Sequence, residues 1–150
     1  MSDIQNVLDM IKEHDVAYVD IRFTDPRGKL QHITMIKDEV NADFLEEGLM
    51  FDGSSIAGWK SIDQSDMKLI PDCSSAYLDP FYAEKTLCIH CSVHEPDTGE
   101  AYSRDPRSTA EKAEAYLIAT GIGDTAYFGP EAEFFLFDDV RFSNTINKVS

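Results

Sequence analysis

The sequence predicts an α+β chain: a small mixed sheet with a helix packed on it, followed by the start of a second unit. Three observations carry this reading. Residues 17–36 hold two extended runs around Asp25-Pro26-Arg27-Gly28. Residues 86–94 alternate apolar and polar side chains, after a short helix and further short strands. From Asp105 the texture changes to a helix and then an aromatic run, 131–137, which do not belong to that sheet.

Ser2 and Gln5 fit a capping box, and Ile4, Val7, Leu8 and Ile11 recur at helical spacing to about Glu13. Ala17 to Thr24 reads as a half-buried strand, with Val19, Ile21 and Phe23 on one face and Tyr18, Asp20 and Arg22 on the other. Pro26 and Gly28 stand where a type I turn prefers them, and Leu30 to Ile36 returns as the second strand of a hairpin. Asn41 caps a short helix that Gly48 stops. Met67 to Ile70 and Ala76 to Leu78 are short extended pieces. Thr86 to His94 sends Leu87, Ile89, Cys91 and Val93 one way, and Cys88, His90, Ser92 and His94 the other. Residues 95–104 form the boundary. Asp105 caps a helix with Pro106 at its first position, running to about Ala119, with Ala113, Tyr116 and Leu117 inward and Gly121 beyond its end. Glu131 to Phe137 reads as an interior strand, and residues 143–150 as a polar loop.

The net charge of −15 argues against a nucleic-acid partner, which needs a basic surface. No apolar run reaches membrane-spanning length, and the first residues have no signal-peptide pattern. Three cysteines argue against a disulfide framework and for a reducing compartment.

Two stretches carry chemistry. In a strand, Glu131 and Glu133 share a face with their Cβ atoms roughly 7 Å apart. A buried pair of like charges needs a cation between them, and carboxylate oxygens suit Mg²⁺ or Mn²⁺; the alternative is a strand end with two solvated glutamates. Phe51-Asp52-Gly53-Ser54-Ser55-Ile56-Ala57-Gly58-Trp59 is a small-residue loop with one acid and the single tryptophan. Asp52 there could hold a cation or take a proton; the alternative is a mobile surface loop. Cys88, His90, Cys91 and His94 look like zinc ligands, but alternation puts Cys91 opposite the other three, so a tetrahedral site cannot close.

The Phe51–Trp59 stretch, continuing through Ser65-Asp66-Met67 to Pro71-Asp72, closely resembles the N-terminal signature of type I bacterial glutamine synthetases. Asp105-Pro106-Arg107-Ser108 and Phe128-Gly129-Pro130-Glu131-Ala132-Glu133-Phe134-Phe135 resemble the family's next two blocks. The resemblance implies an N-terminal β-grasp domain at about 14–98 and the beginning of a catalytic α/β domain at 106–150, within a longer chain. It implies ATP-dependent ligation of ammonia to glutamate through γ-glutamyl phosphate, in the cytoplasm. Two Mg²⁺ or Mn²⁺ ions are implied, with Glu131 and Glu133 as ligands to one each, Glu131's ion lying on the nucleotide phosphates. Asp52 matches the residue that binds ammonium and removes its proton, and Ser55 a neighbour of that site. The implied assembly is a homododecamer of two six-membered rings, each active site shared between adjacent subunits, with Trp59 buried at a subunit interface. Position 132 departs from the pattern, with Ala where many relatives have Pro. Two other functions remain open: a sister γ-glutamyl–amine ligase, and a non-catalytic truncated relative that assembles with or regulates the full enzyme.

Overall fold

The computed structural model describes residues 3–60, 65–145 and 148–149. Ser2, half of the expected capping box, lies outside them. The hairpin forms as expected: β1 (Tyr18–Thr24) pairs antiparallel with β2 (Leu30–Ile36), Ile21 opposite Ile33. Asp25 holds the turn, its Oδ1 accepting the N–H groups of Arg27 and Lys29, both at 2.9 Å. β6 (Thr86–His94) runs parallel to β1. β4 (Asp66–Pro71) pairs antiparallel with β6, and β3 (Leu49–Asp52) with β4. The sheet order is β2-β1-β6-β4-β3, with the two-residue β5 (Tyr77–Leu78) also on β6.

The apolar spacing of α1 (Asp3–Glu13) is spent on this sheet: Val7 is fully buried, and Ile4, Leu8 and Ile11 pack around it. The core is the face that alternation assigned, Val19, Ile21 and Phe23 from β1 with Leu87, Ile89, Cys91 and Val93 from β6. Apolar area leaving water there is worth about 25 cal/mol per Å². In α2 (Ala42–Glu47) the Asn41 Oδ1 accepts the Phe44 N–H at 2.9 Å. Gly48 follows at φ +83°, and a Cβ built on it would stand 2.1 Å from the Leu69 carbonyl oxygen. The glycine is therefore required twice, by backbone angle and by close approach.

The opposite face of β1 differs from the expectation of a half-solvated surface. Asp20 is 1% exposed. Its Oδ2 meets Arg22 Nε at 2.8 Å, and its Oδ1 meets His32 Nδ1 and Thr34 Oγ1 at 2.7 Å each. Arg22 also donates to the Tyr77 hydroxyl at 2.6 Å and to Asp79 Oδ2 at 2.9 Å. A buried charge persists only when paired in this way. Burial pushes the Asp20 carboxyl up, but the hydrogen bonds from Arg22, His32 and Thr34 outweigh it and hold the group below its ordinary range.

β1 accompanies β6 only as far as His90. Past that point the linker takes over: Tyr102 N–H donates to the Val93 carbonyl at 2.8 Å, and Ala101 bridges to His94. Val93 N–H donates to Asp105 Oδ2 at 3.0 Å. The same carboxylate caps α3 (Pro106–Thr120), accepting from Arg107 N–H at 3.1 Å and from the Ser108 hydroxyl at 2.8 Å. Gly121 ends the helix at φ +67°.

Three expectations fail beyond this point. Ala113 and Tyr116 do not face inward; Tyr116 is 73% exposed, and Ser108 is the residue of α3 that is buried. Residues 131–137 form no strand, and Phe135 is 85% exposed. The physical reason is shared: a helix face or a strand holds its place by packing and ladder hydrogen bonds, and no described element covers either one. The aromatic run keeps part of its extended alternation, since the Phe135 and Phe137 rings stack at 5.9 Å. The third concerns the tail, which is not all loop: β7 (Asn144–Thr145) and β8 (Lys148–Val149) pair antiparallel.

Replacing Gly48 with Ala is expected to cost at least the roughly 1–3 kcal/mol of a strained backbone position, read as a lower denaturation midpoint. Asp20 has a depressed folded pKa, so its contribution is complete above the ordinary Asp range and disappears as pH falls through the lower folded value. The Asp20→Asn variant is expected to lose stability at neutral pH and to show a flatter acid limb in a pH series of thermal midpoints.

Candidate functional site

Asp52 ends β3 and opens a 3-10 turn, Gly53–Ser55. Its Oδ1 accepts the Ser54 N–H at 2.9 Å and the Ser54 hydroxyl at 2.6 Å. Gly53 lets this turn lie on the sheet; a Cβ there would come within 2.6 Å of the Met67 side chain. The turns continue in series, Ile56 N–H to Gly53 carbonyl at 3.1 Å and Trp59 N–H to Ile56 carbonyl at 3.2 Å. Gly53 N–H closes the loop on Ser65 carbonyl at 2.7 Å. Asp52 and Ser55 are exposed. Both line a cleft of about 270 Å³ with Phe51 and Ile56 of their own segment and Gln31 and Ile33 of β2.

The hydroxyl of Ser54, then its N–H, hold the Asp52 carboxyl below its ordinary value, with Ser65 adding to the effect. The same motif recurs at Asp72-Cys73-Ser74, where Asp72 Oδ1 accepts the Ser74 N–H at 3.1 Å and its hydroxyl at 2.6 Å. The two differ in one respect. Asp72 is ion-paired with Arg107, whereas among the described residues no Lys, Arg or His pairs with Asp52. Asp52 is a preformed anion at a cleft, free to meet a cation.

Trp59 is not left for a neighbouring subunit to cover. It is 5% exposed within its own chain, against Phe23 at 5.5 Å, Phe51 at 5.9 Å and Tyr102 at 5.6 Å between ring centroids. Among the described residues the indole N–H has no acceptor; the burial of the large ring is what holds it there. Sequence reasoning named Ser55 as a neighbour of the Asp52 site and did not single out Ser54, which makes the hydrogen bonds to Asp52; the Asp-x-Ser spacing of an Asx turn was the available signal.

Glu131 and Glu133 are exposed on the irregular run, and neither lines the cleft at Asp52 or the one between α3 and Phe128. The expected shared cavity for both is absent there, for the reason given for the missing strand. No group of three or more metal-ligating side chains forms among the described residues. On β6, Cys91 enters the core and Cys88 turns toward Asp79, 3.8 Å away, as alternation predicts. Burial pushes Cys88 up to about 11 and raises Cys91 further, so both remain thiols.

Residues 15–96 match the family described as glutamine synthetase, beta-Grasp domain, and residues 103–150 match glutamine synthetase, catalytic domain. The chain belongs to the glutamine synthetase family. It is 73% identical over 150 residues to a glutamine synthetase of Cereibacter sphaeroides, covering all of this chain and 32% of that protein. It is 59% identical over 143 residues to a glutamine synthetase of Escherichia coli K12, covering 95% of this chain and 30% of that one. Its fold matches a Plasmodium falciparum glutamine synthetase solved by electron cryomicroscopy, at TM-score 0.74 and 27% identity, over 83% of this chain and 24% of the other. The chain thus spans about a third of the length of the curated relatives it matches. Among the described residues no helix is long and apolar enough to cross a membrane.

Ser54→Ala removes the shorter of the two hydrogen bonds to Asp52. The Asp52 carboxyl is expected to titrate closer to its ordinary value, upward, in a carbon-detected NMR titration.

Proposed function

We propose that this chain is the N-terminal part of a cytoplasmic enzyme that joins ammonia to L-glutamate at the expense of ATP. The observation that carries the reading is the contrast between two like turns: Asp72 is neutralised by Arg107, and Asp52 is left bare beside a cleft. A carboxylate kept ionised attracts ammonium. Ammonium has no lone pair, so it must give up a proton before it can attack; Asp52 is the acceptor placed to take it. ATP first phosphorylates the glutamate side-chain carboxylate; ammonia then attacks that carbonyl carbon, the C–N bond forms and phosphate leaves. The hydrogen bonds from Ser54 lower the basicity of Asp52, which weights it toward holding the cation. Ser55, on the same cleft, is a neighbour able to orient the bound cation through its hydroxyl oxygen.

Glu131 and Glu133 have the donor chemistry of a Mg²⁺ or Mn²⁺ site, hard carboxylate oxygens two residues apart in sequence. They are two donors of a set that further ligands must complete. When bound, two such ions would offset the negative charge of phosphoryl transfer, Glu131 on the nucleotide's ion and Glu133 on the other. The partition into a β-grasp domain at 14–98 and a catalytic domain from 106 is part of this reading. So is a homododecamer of two six-membered rings, in which the Asp52 loop of one subunit serves the catalytic domain of the next.

In the full-length enzyme, Asp52→Ala is expected to lower kcat/KM for ammonium by about 10²–10⁴-fold while glutamate-dependent ATP cleavage without ammonia continues. Equal loss of both activities, or of neither, overturns the role. Glu133→Ala is expected to raise the Mn²⁺ concentration for half-maximal activity by at least the roughly 10–100-fold of losing a supporting group. An unchanged Mn²⁺ titration rejects it as a ligand.

A further inference from the structure

The loop that carries Asp52 is gripped at its far end by the boundary stretch 95–104, which runs into the second family-matched segment. Arg104 Nη1 donates to the Gly58 carbonyl at 2.8 Å and reaches the Trp59 carbonyl at 3.4 Å. Tyr102, itself buried, sets its ring edge-on to Trp59 at 5.6 Å. Lys60 joins the same contact, with Nζ 2.6 Å from Glu95 Oε2 and 5.5 Å from the Tyr102 ring centroid. Among the described residues, the polar side-chain contacts at this end are those of Arg104 and of the Lys60–Glu95 pair.

The linker is itself immobilised. Arg104 directly precedes Asp105, a carboxylate with no exposed surface that holds Val93 of β6 and the first turn of α3. The path back to the acid is continuous. Trp59 N–H is bonded to Ile56 carbonyl, Ile56 N–H to Gly53 carbonyl, and Gly53 follows Asp52. Two successive turns thus lie between the Arg104 contact and the carboxylate.

We propose that Arg104, with Tyr102 behind it, is a positioning residue for Asp52, and that it ties the placement of the ammonium-binding carboxylate to the start of α3. The proposal rests on the role given to Asp52 above. It assigns a function to residues 102–104, which the motif reading treated only as boundary. Coupling the acid loop to the first turn of α3 fixes how its own subunit presents the loop to the neighbouring subunit's catalytic domain.

The test uses the full-length enzyme with Arg104→Ala, Arg104→Lys and Asp52→Ala. Two measurements are made on each: steady-state KM for ammonium, glutamate and ATP, and amide hydrogen exchange of peptides covering residues 53–59. Arg104→Ala is expected to raise KM for ammonium about tenfold, the scale of one lost hydrogen bond from a charged group. The glutamate and ATP constants should stay within about twofold, and exchange across 53–59 should quicken. Arg104→Lys, which can still reach one carbonyl, is expected to recover part of both effects. Unchanged exchange and unchanged ammonium KM in Arg104→Ala overturn the proposal. So does an equal rise in all three constants, which would mark a general structural defect. Faster exchange in Arg104→Ala, with kcat/KM for ammonium unmoved in Asp52→Ala, upholds the grip and overturns the role of Asp52.

Discussion

The buried Asp105 carboxylate is the constraint on which the arrangement turns. One side chain accepts from a backbone N–H of the central strand, from a backbone N–H of the next helix and from a hydroxyl in that helix's first turn. A carboxylate without exposure is tolerated only if its lone pairs are filled, and removing it would strand several donors at once. β6 is the strand on which β1, β4 and β5 all pair. The helix that begins the second family segment is thus referenced to the middle of the sheet and not to its edge.

From that fixed strand the geometry runs outward to the acid. β4 lies on β6, β3 on β4, and Asp52 is the last residue of β3. Register positions the carboxylate to within a strand's width; Ser54 then sets its direction and its charge. The comparison with Asp72 explains why local turn chemistry alone does not make a site. The two turns are alike in hydrogen bonding, and what separates them is a guanidinium supplied from α3 to one and withheld from the other.

Much of the sheet was legible in the sequence because its rules are local. Alternation in 17–36 and 86–94, the cap at Asn41, the stop at Gly48 and the Asp105-Pro106 start depend on neighbours within a few residues. What was not legible depends on distant partners. Asp20 looked like a solvent-facing residue because His32 and Thr34 reach it, and Asp79 reaches its partner Arg22, only once the strands are in register. The contact of Arg104 with Gly58 spans 46 positions and has no motif. Trp59 was misassigned for the same reason, since Tyr102 and Phe23 cover it from elsewhere in the chain. The aromatic run was read as a strand from its own composition, but strand formation is a property of a pair.

That run also bears on how the chain behaves in water. Phe134, Phe135, Leu136 and Phe137 are all bare, beside Tyr127 and Phe128. The four residues 134–137, apolar and rich in β-formers, are of the kind that stacks between molecules. Here the chain's own charge of −15 is the main brake, since equally charged molecules repel before their aromatic surfaces can meet. Added salt shortens the reach of that repulsion to about 8 Å at physiological ionic strength. For these 150 residues by themselves, dilute buffer is therefore expected to keep the chains apart and saline to let them associate.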